Sequence, residues 1–204
     1  MRDIEYRYSG GRRPFAIDCI GFDTGEGMPE PESEKDLPYW FKAKQYAMDR
    51  AALAARLPDA KLVLGNIRET VGSFIEQHDP APIGVIFNDT DYHSSTQDSL
   101  ALFNAARAHP DKFLPRIPMY FDDVIGSELE MYGSHNGQLT AIAEFNAASD
   151  DTKVHLNQNL LPHAHIRYRH QIYYAHLFSH PRYSEYIGGK DQRVMESKLK
   201  LAAN

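Results

Sequence analysis

Short apolar runs alternate with helical patterns along most of this chain, and that alternation admits few folds. The clearest run is IGVIF (Ile83–Phe87), which contains no polar side chain. A strand with one wet face alternates apolar and polar residues, so a continuous apolar run predicts a parallel strand buried on both faces. FAIDCIGFD (Phe15–Asp23), KLVLG (Lys61–Gly65) and RIPMYFD (Arg116–Asp122) read as further strands. MDRAALAARL (Met48–Leu57), with Asp49 near its start, reads as a helix. So does ETVGSFIEQ (Glu69–Gln77), with Val71, Phe74 and Ile75 on one face. A helix capped by Ser95, with Asp98 completing the capping box, follows the apolar run; Leu100, Phe103 and Ala106 are its apolar positions. Another spans Asn136–Ser149, where Leu139, Ile142 and Phe145 recur at helical spacing. The last two β-like runs, Thr152–Leu160 and Gln171–Ser179, have no helix between them. The order β-α-β-α-β-α-β-α-β-β predicts an α/β fold. Its sheet is mostly parallel, covered on both faces, and ends in an antiparallel hairpin.

A chain of 204 residues suits one domain spanning 1–204 and can bury a sizeable core. Within it we expect an irregular N-terminus at 1–14 and a polar tail at 182–204. The stretch 24–46, rich in Pro, Gly and charge, is expected to be a lid loop. A net charge of −6 leaves no clustered basic surface for nucleic acid. No run reaches the length of a membrane span, and the N-terminus has no apolar signal core. The lone Cys19 lies in an apolar stretch, reads as core packing and fits a reducing, cytoplasmic compartment.

The chemistry-bearing residues gather where strands stop. Asp23, Asn66, Asp89/Asp91 and Asp122/Asp123 all fall at or just beyond predicted strand ends. In an open α/β sheet, ligands sit outside the carboxyl ends of the strands. One aspartate there is ordinarily a turn or cap residue. Four on two neighbouring strands repel one another unless a cation joins them. Oxygen ligands of this kind suit Mg²⁺. One chemistry that fits is Mg²⁺-dependent phosphoryl hydrolysis of the haloacid-dehalogenase type. DTDYH supplies a nucleophile, Asp89, and an acid/base, Asp91, but has His93 where that pattern takes Thr or Val. The other is methyl transfer to a metal-held hydroxyl.

Four segments resemble a family that does the second. GFDTGEGMPEP (Gly21–Pro31), LVLGNIRETV (Leu62–Val71), NDTDYHSSTQDSL (Asn88–Leu100) and YFDDV (Tyr120–Val124) are similar, in order and spacing, to segments of macrocin-type O-methyltransferases. The resemblance covers roughly residues 15–125. It implies a Rossmann-like class I fold for a methyltransferase dependent on S-adenosylmethionine (SAM), acting on a hydroxylated small molecule. It implies that Asp23 binds the SAM ribose, that Gly65 and Asn66 lie by the adenine, and that Asp91, Asp122 and Asp123 hold Mg²⁺. Asp89 is then a neighbour at the cofactor, or a ligand if the register differs. Trp40 and Phe41 belong to the lid. That family opens with a strand and a Gly-rich loop, and nothing before Phe15 supplies them. In the usual order that strand would be central, between those ending at Asp23 and Asp89. The chain is therefore expected to lack the first β-α unit, to bind SAM poorly or not at all, and to self-associate through the exposed sheet. A truncated, non-catalytic remnant is the third reading.

His93 and His135 flank the proposed metal in sequence and are the candidate general bases. His163, His165, His170, His176 and His180 crowd a second segment. A His-x-His pair on a strand can bind zinc. Without cysteines, and on the terminal hairpin, they read as surface or interface residues.

Overall fold

The structure is a computed structural model and describes residues 17–185. The strands are β1 (Ile20–Asp23), β2 (Lys61–Leu64), β3 (Ile86–Asn88), β4 (Arg116–Phe121), β5 (Thr152–Leu156) and β6 (Ile172–Leu177). The α-helices are α1 (Arg50–Arg56), α2 (Ile67–Thr70), α3 (Phe74–His78), α4 (His93–Leu100) and α5 (Gly137–Ala148). The expected N-terminal segment 1–14, the head of the first predicted strand and the tail from 186 onward lie outside the described residues.

The strands form two sheets. β1 and β2 pair in parallel, from Ile20↔Lys61 to Asp23↔Leu64. The other sheet has the order β3-β4-β6-β5, with β3 parallel to β4 and β6 antiparallel to both its neighbours. The fold is thus mixed α/β with an antiparallel end. The single sheet expected from the sequence is interrupted: among the described residues, β1 pairs only with β2 and β3 only with β4.

One core nevertheless serves both sheets. Val71, Phe74 and Ile75 from the α2–α3 region, Leu100 and Phe103 from α4 and its extension, and Ile142 from α5 pack on Ile117, Met119, Phe121, Tyr173, Ala175 and Leu177. Ile20, Phe22 and Val63 lean on the same cluster, and the Phe22 and Phe74 rings meet edge to face at 4.9 Å. The expectation of cover on both faces fails. In β4 and β6, buried residues alternate with half-exposed ones, and Phe87 on β3 is 73% exposed. Among the described residues the helices that form the core share one face, and α1 adds no buried residue on the other.

Local departures have local causes. The helix expected over Glu69–Gln77 is two short helices, α2 and α3, broken around Gly72; its Val71, Phe74 and Ile75 are buried as expected. The run Ile83–Phe87 shortens to β3, with an isolated bridge at Ile83↔Phe113. The run Thr152–Leu160 ends at Leu156 because Asn157 turns the chain, its side chain accepting from the Asn159 N–H. Cys19 is exposed rather than packed, since it precedes β1 and gains no helical cover.

The largest correction concerns the start of α4. Ser95 does not cap it. Tyr92 occupies the cap position and makes no side-chain cap bond. The cap comes from the supposed lid instead. Asp36, fully buried, accepts from the Ser94 N–H at 2.8 Å, the Ser94 hydroxyl at 3.0 Å and the Glu32 N–H at 2.8 Å. A carboxylate at a helix N-terminus satisfies orphan N–H groups and meets the positive end of the helix dipole. Leu37 and Phe41 follow it into a second small core with Tyr92, the two rings 5.9 Å apart. Trp40 stays 39% exposed. The loop is therefore docked on α4 through Asp36, Leu37 and Phe41.

Candidate metal centre

Parallel pairing brings the two acidic segments together. Asn88 on β3 is in register with Phe121 on β4, and the Asp122 N–H donates to the Asn88 carbonyl at 3.1 Å, continuing the ladder. Asp89 and Asp122 are the next residues along each strand. Adjacent strands lie about 4.8 Å apart, so these carboxylates have no choice but to be neighbours. Asp123 joins them. One ligand oxygen from each of Asp89, Asp122 and Asp123 lies within 4.8 Å of the others. Opposite oxygens around Mg²⁺ are about 4.2 Å apart and around Ca²⁺ about 5 Å, twice the metal–oxygen distance. The three carboxylates match the span of one hard divalent cation, with a slight contraction for Mg²⁺.

The triad differs by one member from the set inferred from sequence. Asp89, exposed, takes the place given to Asp91. Asp91 adopts a left-handed backbone, φ 54°, which turns its N–H onto Asp123 Oδ2 at 2.9 Å. That left-handed conformation is invisible in sequence, and it aims a backbone N–H at one member of the triad.

Charge crowding has measurable signs. Burial, then the neighbouring carboxylates, Asp123 first, pushes the Asp91 pKa up to about 8. Asp123 is raised as well, chiefly by burial and opposed by the Asp91 N–H it accepts. Asp89 is raised by burial and by Asp122. Without metal, Asp91 therefore holds its proton near neutrality, and a cation beside it would favour its release.

A polar frame that the sequence did not reveal holds these groups. Gln138, fully buried in the first turn of α5, accepts from the Asp123 N–H at 3.0 Å. Its amide nitrogen lies 3.3 Å from both the Asn88 carbonyl and the Thr90 hydroxyl, the two residues flanking Asp89. Tyr120 donates to Asp122 Oδ1 at 2.5 Å, and Gln171 donates to the same oxygen at 3.2 Å. Tyr132 reaches Asp123 Oδ1 at 3.4 Å. The one available signal was a glutamine among the apolar positions of NGQLTAIAEF.

The remaining candidates fall elsewhere. His93 is buried and paired through Nε2 with Glu144 Oε2 at 2.7 Å; Glu144 also takes Lys35 at 2.6 Å. That ring is committed to α5, not offered to the triad. His135 is exposed in the turn before α5. Asp23, Gly65 and Asn66 do come together, because the Gly65 N–H donates to the Asp23 carbonyl at 2.9 Å beyond the β1–β2 ladder. The exposed Asp23 carboxylate accepts from the Gly25 N–H at 2.5 Å, and the Asn66 side chain caps α2 through the Arg68 N–H. Gly65 has φ 137°, a region closed to other residues. Of the crowded histidines, His163 and His165 lie in a run of turns with their rings 5.7 Å apart, not on a strand. Among the described residues no helix is long and apolar enough to cross a membrane.

No protein-family model matches this chain, and no curated protein or solved structure is significantly similar to it.

Proposed function

We propose that this chain is a cation-binding α/β domain of the SAM-dependent O-methyltransferase type, acting on the hydroxyl of a small molecule. The observation that carries the reading is the convergence of Asp89, Asp122 and Asp123 at the carboxyl ends of adjacent parallel strands. The division of the strands into a β1-β2 pair and a separate β3-β4-β6-β5 sheet is compatible with this reading, which expects one strand fewer than a continuous sheet needs.

The residues fit the two cofactors unequally. Three carboxylates with a matched span fit Mg²⁺. For SAM, Asp23 offers a carboxylate oxygen for ribose hydroxyls beside Gly65 and Asn66. The described residues supply no Gly-rich loop for its methionine end. When bound, the cation supplies a Lewis acid that acidifies an acceptor hydroxyl, and SAM supplies the electrophilic methyl group. The chain's own residues would hold the cation (Asp89, Asp122, Asp123) and brace its ligands (Gln138, Tyr120, Gln171). Weak SAM binding is the expectation, and a cytoplasmic, self-associating protein fits this reading.

A second reading has one specific observation in its favour. Asp91, two residues past Asp89, holds a proton near neutrality, as an acid/base in a haloacid-dehalogenase-like phosphatase would.

Calorimetric titration of SAM, with and without Mg²⁺, tests the first reading. Micromolar binding supports it. Mg²⁺ binding that Asp122→Asn abolishes, with no heat from SAM, leaves a cation site without the methyl donor. Neither ligand binding overturns it. Hydrolysis of a generic phosphate ester, lost in Asp89→Asn, would move the conclusion to the phosphatase.

A further inference from the structure

A second cluster of titratable groups lies far along the chain, on the face of the sheet that the core-forming helices leave open. In β6 the side chains of Tyr173, Ala175 and Leu177 enter the core, so His176 points to the opposite face. Arg116 of β4 and Lys153 of β5 stand opposite it in register. His155 packs beside it, ring centroids 4.6 Å apart. After β6 the chain turns back over this face as a strap, Phe178–Glu185. Tyr183 is its anchor. The Tyr183 hydroxyl lies 2.8 Å from His176 Nδ1, its carbonyl accepts from the Arg116 guanidinium, and Arg116 stacks on its ring at 4.3 Å. Phe178 stacks on the imidazole at 6.0 Å and meets Tyr183 at 5.2 Å.

The other imidazole nitrogen, Nε2, is shielded from water and has no hydrogen-bond partner among the described residues. A neutral ring tolerates this, because the unpaired nitrogen is then an acceptor with no proton to place. An imidazolium does not: both nitrogens carry protons, and an unsatisfied charged donor in a dry site is costly. Nor does any neighbour among the described residues offset the charge. Arg116 and Lys153 are cations, Lys153 donating to the Asn146 carbonyl, and His155 is a second imidazole. The acids of the adjoining turns are taken: Asp151 accepts from Ser179, and Glu185 pairs with Arg182.

We propose that the Phe178–Glu185 strap is a pH-sensitive clasp, closed over the sheet while His176 is neutral and released when His176 takes up a proton. Opening the strap frees Nε2 to water and moves Tyr183 away, so the open form accepts the proton that the closed form refuses. Burial, His155 and Arg116 all hold the closed-state pKa below the usual 6.5. Sign and window follow. Clasp stability is complete above about 6.5 and falls as pH drops from there toward the closed-state value. On acidification the clasp uncovers the end of this face that carries Arg116 and His176.

Hydrogen exchange of the full chain reads this directly, because the amides of Phe178, His180, Tyr183 and Glu185 are all hydrogen-bonded. Normalised to the unstructured rate, protection of the 178–185 peptide is expected to fall about tenfold or more between about pH 7.5 and 5. His176→Asn should remove that dependence. His180 also ties the strap, its Nδ1 accepting from the Arg182 N–H at 3.0 Å while its Nε2 faces the carbonyls of Pro110 and Phe113, so a pH dependence that His180→Asn removes and His176→Asn leaves overturns the proposal. Protection that is flat with pH, or that falls equally in His176→Asn, overturns the proposal. Should that variant not fold, NMR titration of His176 in the unmodified chain decides: a midpoint below 6.5 supports the clasp, and one at or above it overturns it.

Discussion

The two sheets carry the two groups of candidate site residues, Asp23, Gly65 and Asn66 on one and the acidic triad on the other, and are built to different standards. The four-stranded sheet buries Ile117, Met119, Phe121, Val154, Tyr173, Ala175 and Leu177, and at its end Gln138, Tyr120 and Gln171 brace the acidic triad. The β1–β2 pair contributes no buried residue. Two strands alone are marginal in water, and this pair leans on the common core through Ile20, Phe22 and Val63. Placing a carboxylate precisely takes a packed strand and a satisfied backbone around it. The cation half has both. The half that would seat a nucleoside has a turn, a cap and a glycine.

The contrast should break first under core truncation. Phe121→Ala removes a fully buried ring that meets Tyr173 edge to face at 5.0 Å, and is expected to cost about 3–5 kcal/mol in urea unfolding. Val63→Ala on β2, half-buried, should cost under about 1 kcal/mol. Equal losses would mean that the β1–β2 pair is as integral as the larger sheet. Next comes Asp36→Ala. It leaves the Ser94 and Glu32 N–H groups without their acceptor in a buried place, for an expected loss of about 2–3 kcal/mol. It should also raise proteolysis within 24–46; a loop that stays protected would show that Leu37 and Phe41 alone dock it.

Much of the architecture was legible because patterns of period and punctuation are local. α5, the Asp49 cap of α1, the antiparallel end and the acidic ends of β3 and β4 follow from side-chain spacing alone. The acidic cluster was legible too, since parallel strands that end in aspartates must bring them together. What escaped depends on partners distant in sequence. Asp36 and Ser94 are 58 residues apart, and Gln138 and Asn88 are 50. The Asp91 N–H bond to Asp123 turns on one left-handed residue. The exposed Phe87 escaped for the opposite reason: an apolar run announces burial, and here none of the described helices covers that residue.

A smaller effect sharpens the electrostatic side of the contrast. Asp91 has its folded pKa raised from 3.8 to about 8, so the metal-free fold binds a proton that the unfolded chain has released. That contribution is intact below about pH 4 and is lost as pH rises toward about 8. Stability without metal should therefore decline across that window. Asp91→Asn, which keeps the shape without the charge, should flatten the decline and stabilise the protein by about 1–2 kcal/mol near pH 8. Unfolding curves at several pH values in chelator check this. Saturating Mg²⁺ should also reduce the slope, through the neighbouring triad. A profile that Asp91→Asn leaves unchanged would place the titration elsewhere.

The smallest expected effect on stability comes from Asp23→Ala, and it separates the two halves most cleanly. Asp23 is exposed and its side chain serves one local turn, so the urea midpoint should not move. Mg²⁺ affinity should not move either, because none of the three triad oxygens belongs to β1. If β1–β2 seats a nucleoside, SAM binding alone should weaken in Asp23→Ala. Asp122→Asn should do the reverse, weakening Mg²⁺ and sparing SAM measured without metal. Crossed losses would establish two sites on two sheets. Parallel losses in both variants would mean that the ligands share one pocket, and that the break between β1 and β3 does not divide the site. Indifference of both ligands to Asp23→Ala would reduce that aspartate to the turn former that its 2.5 Å bond to Gly25 already makes it.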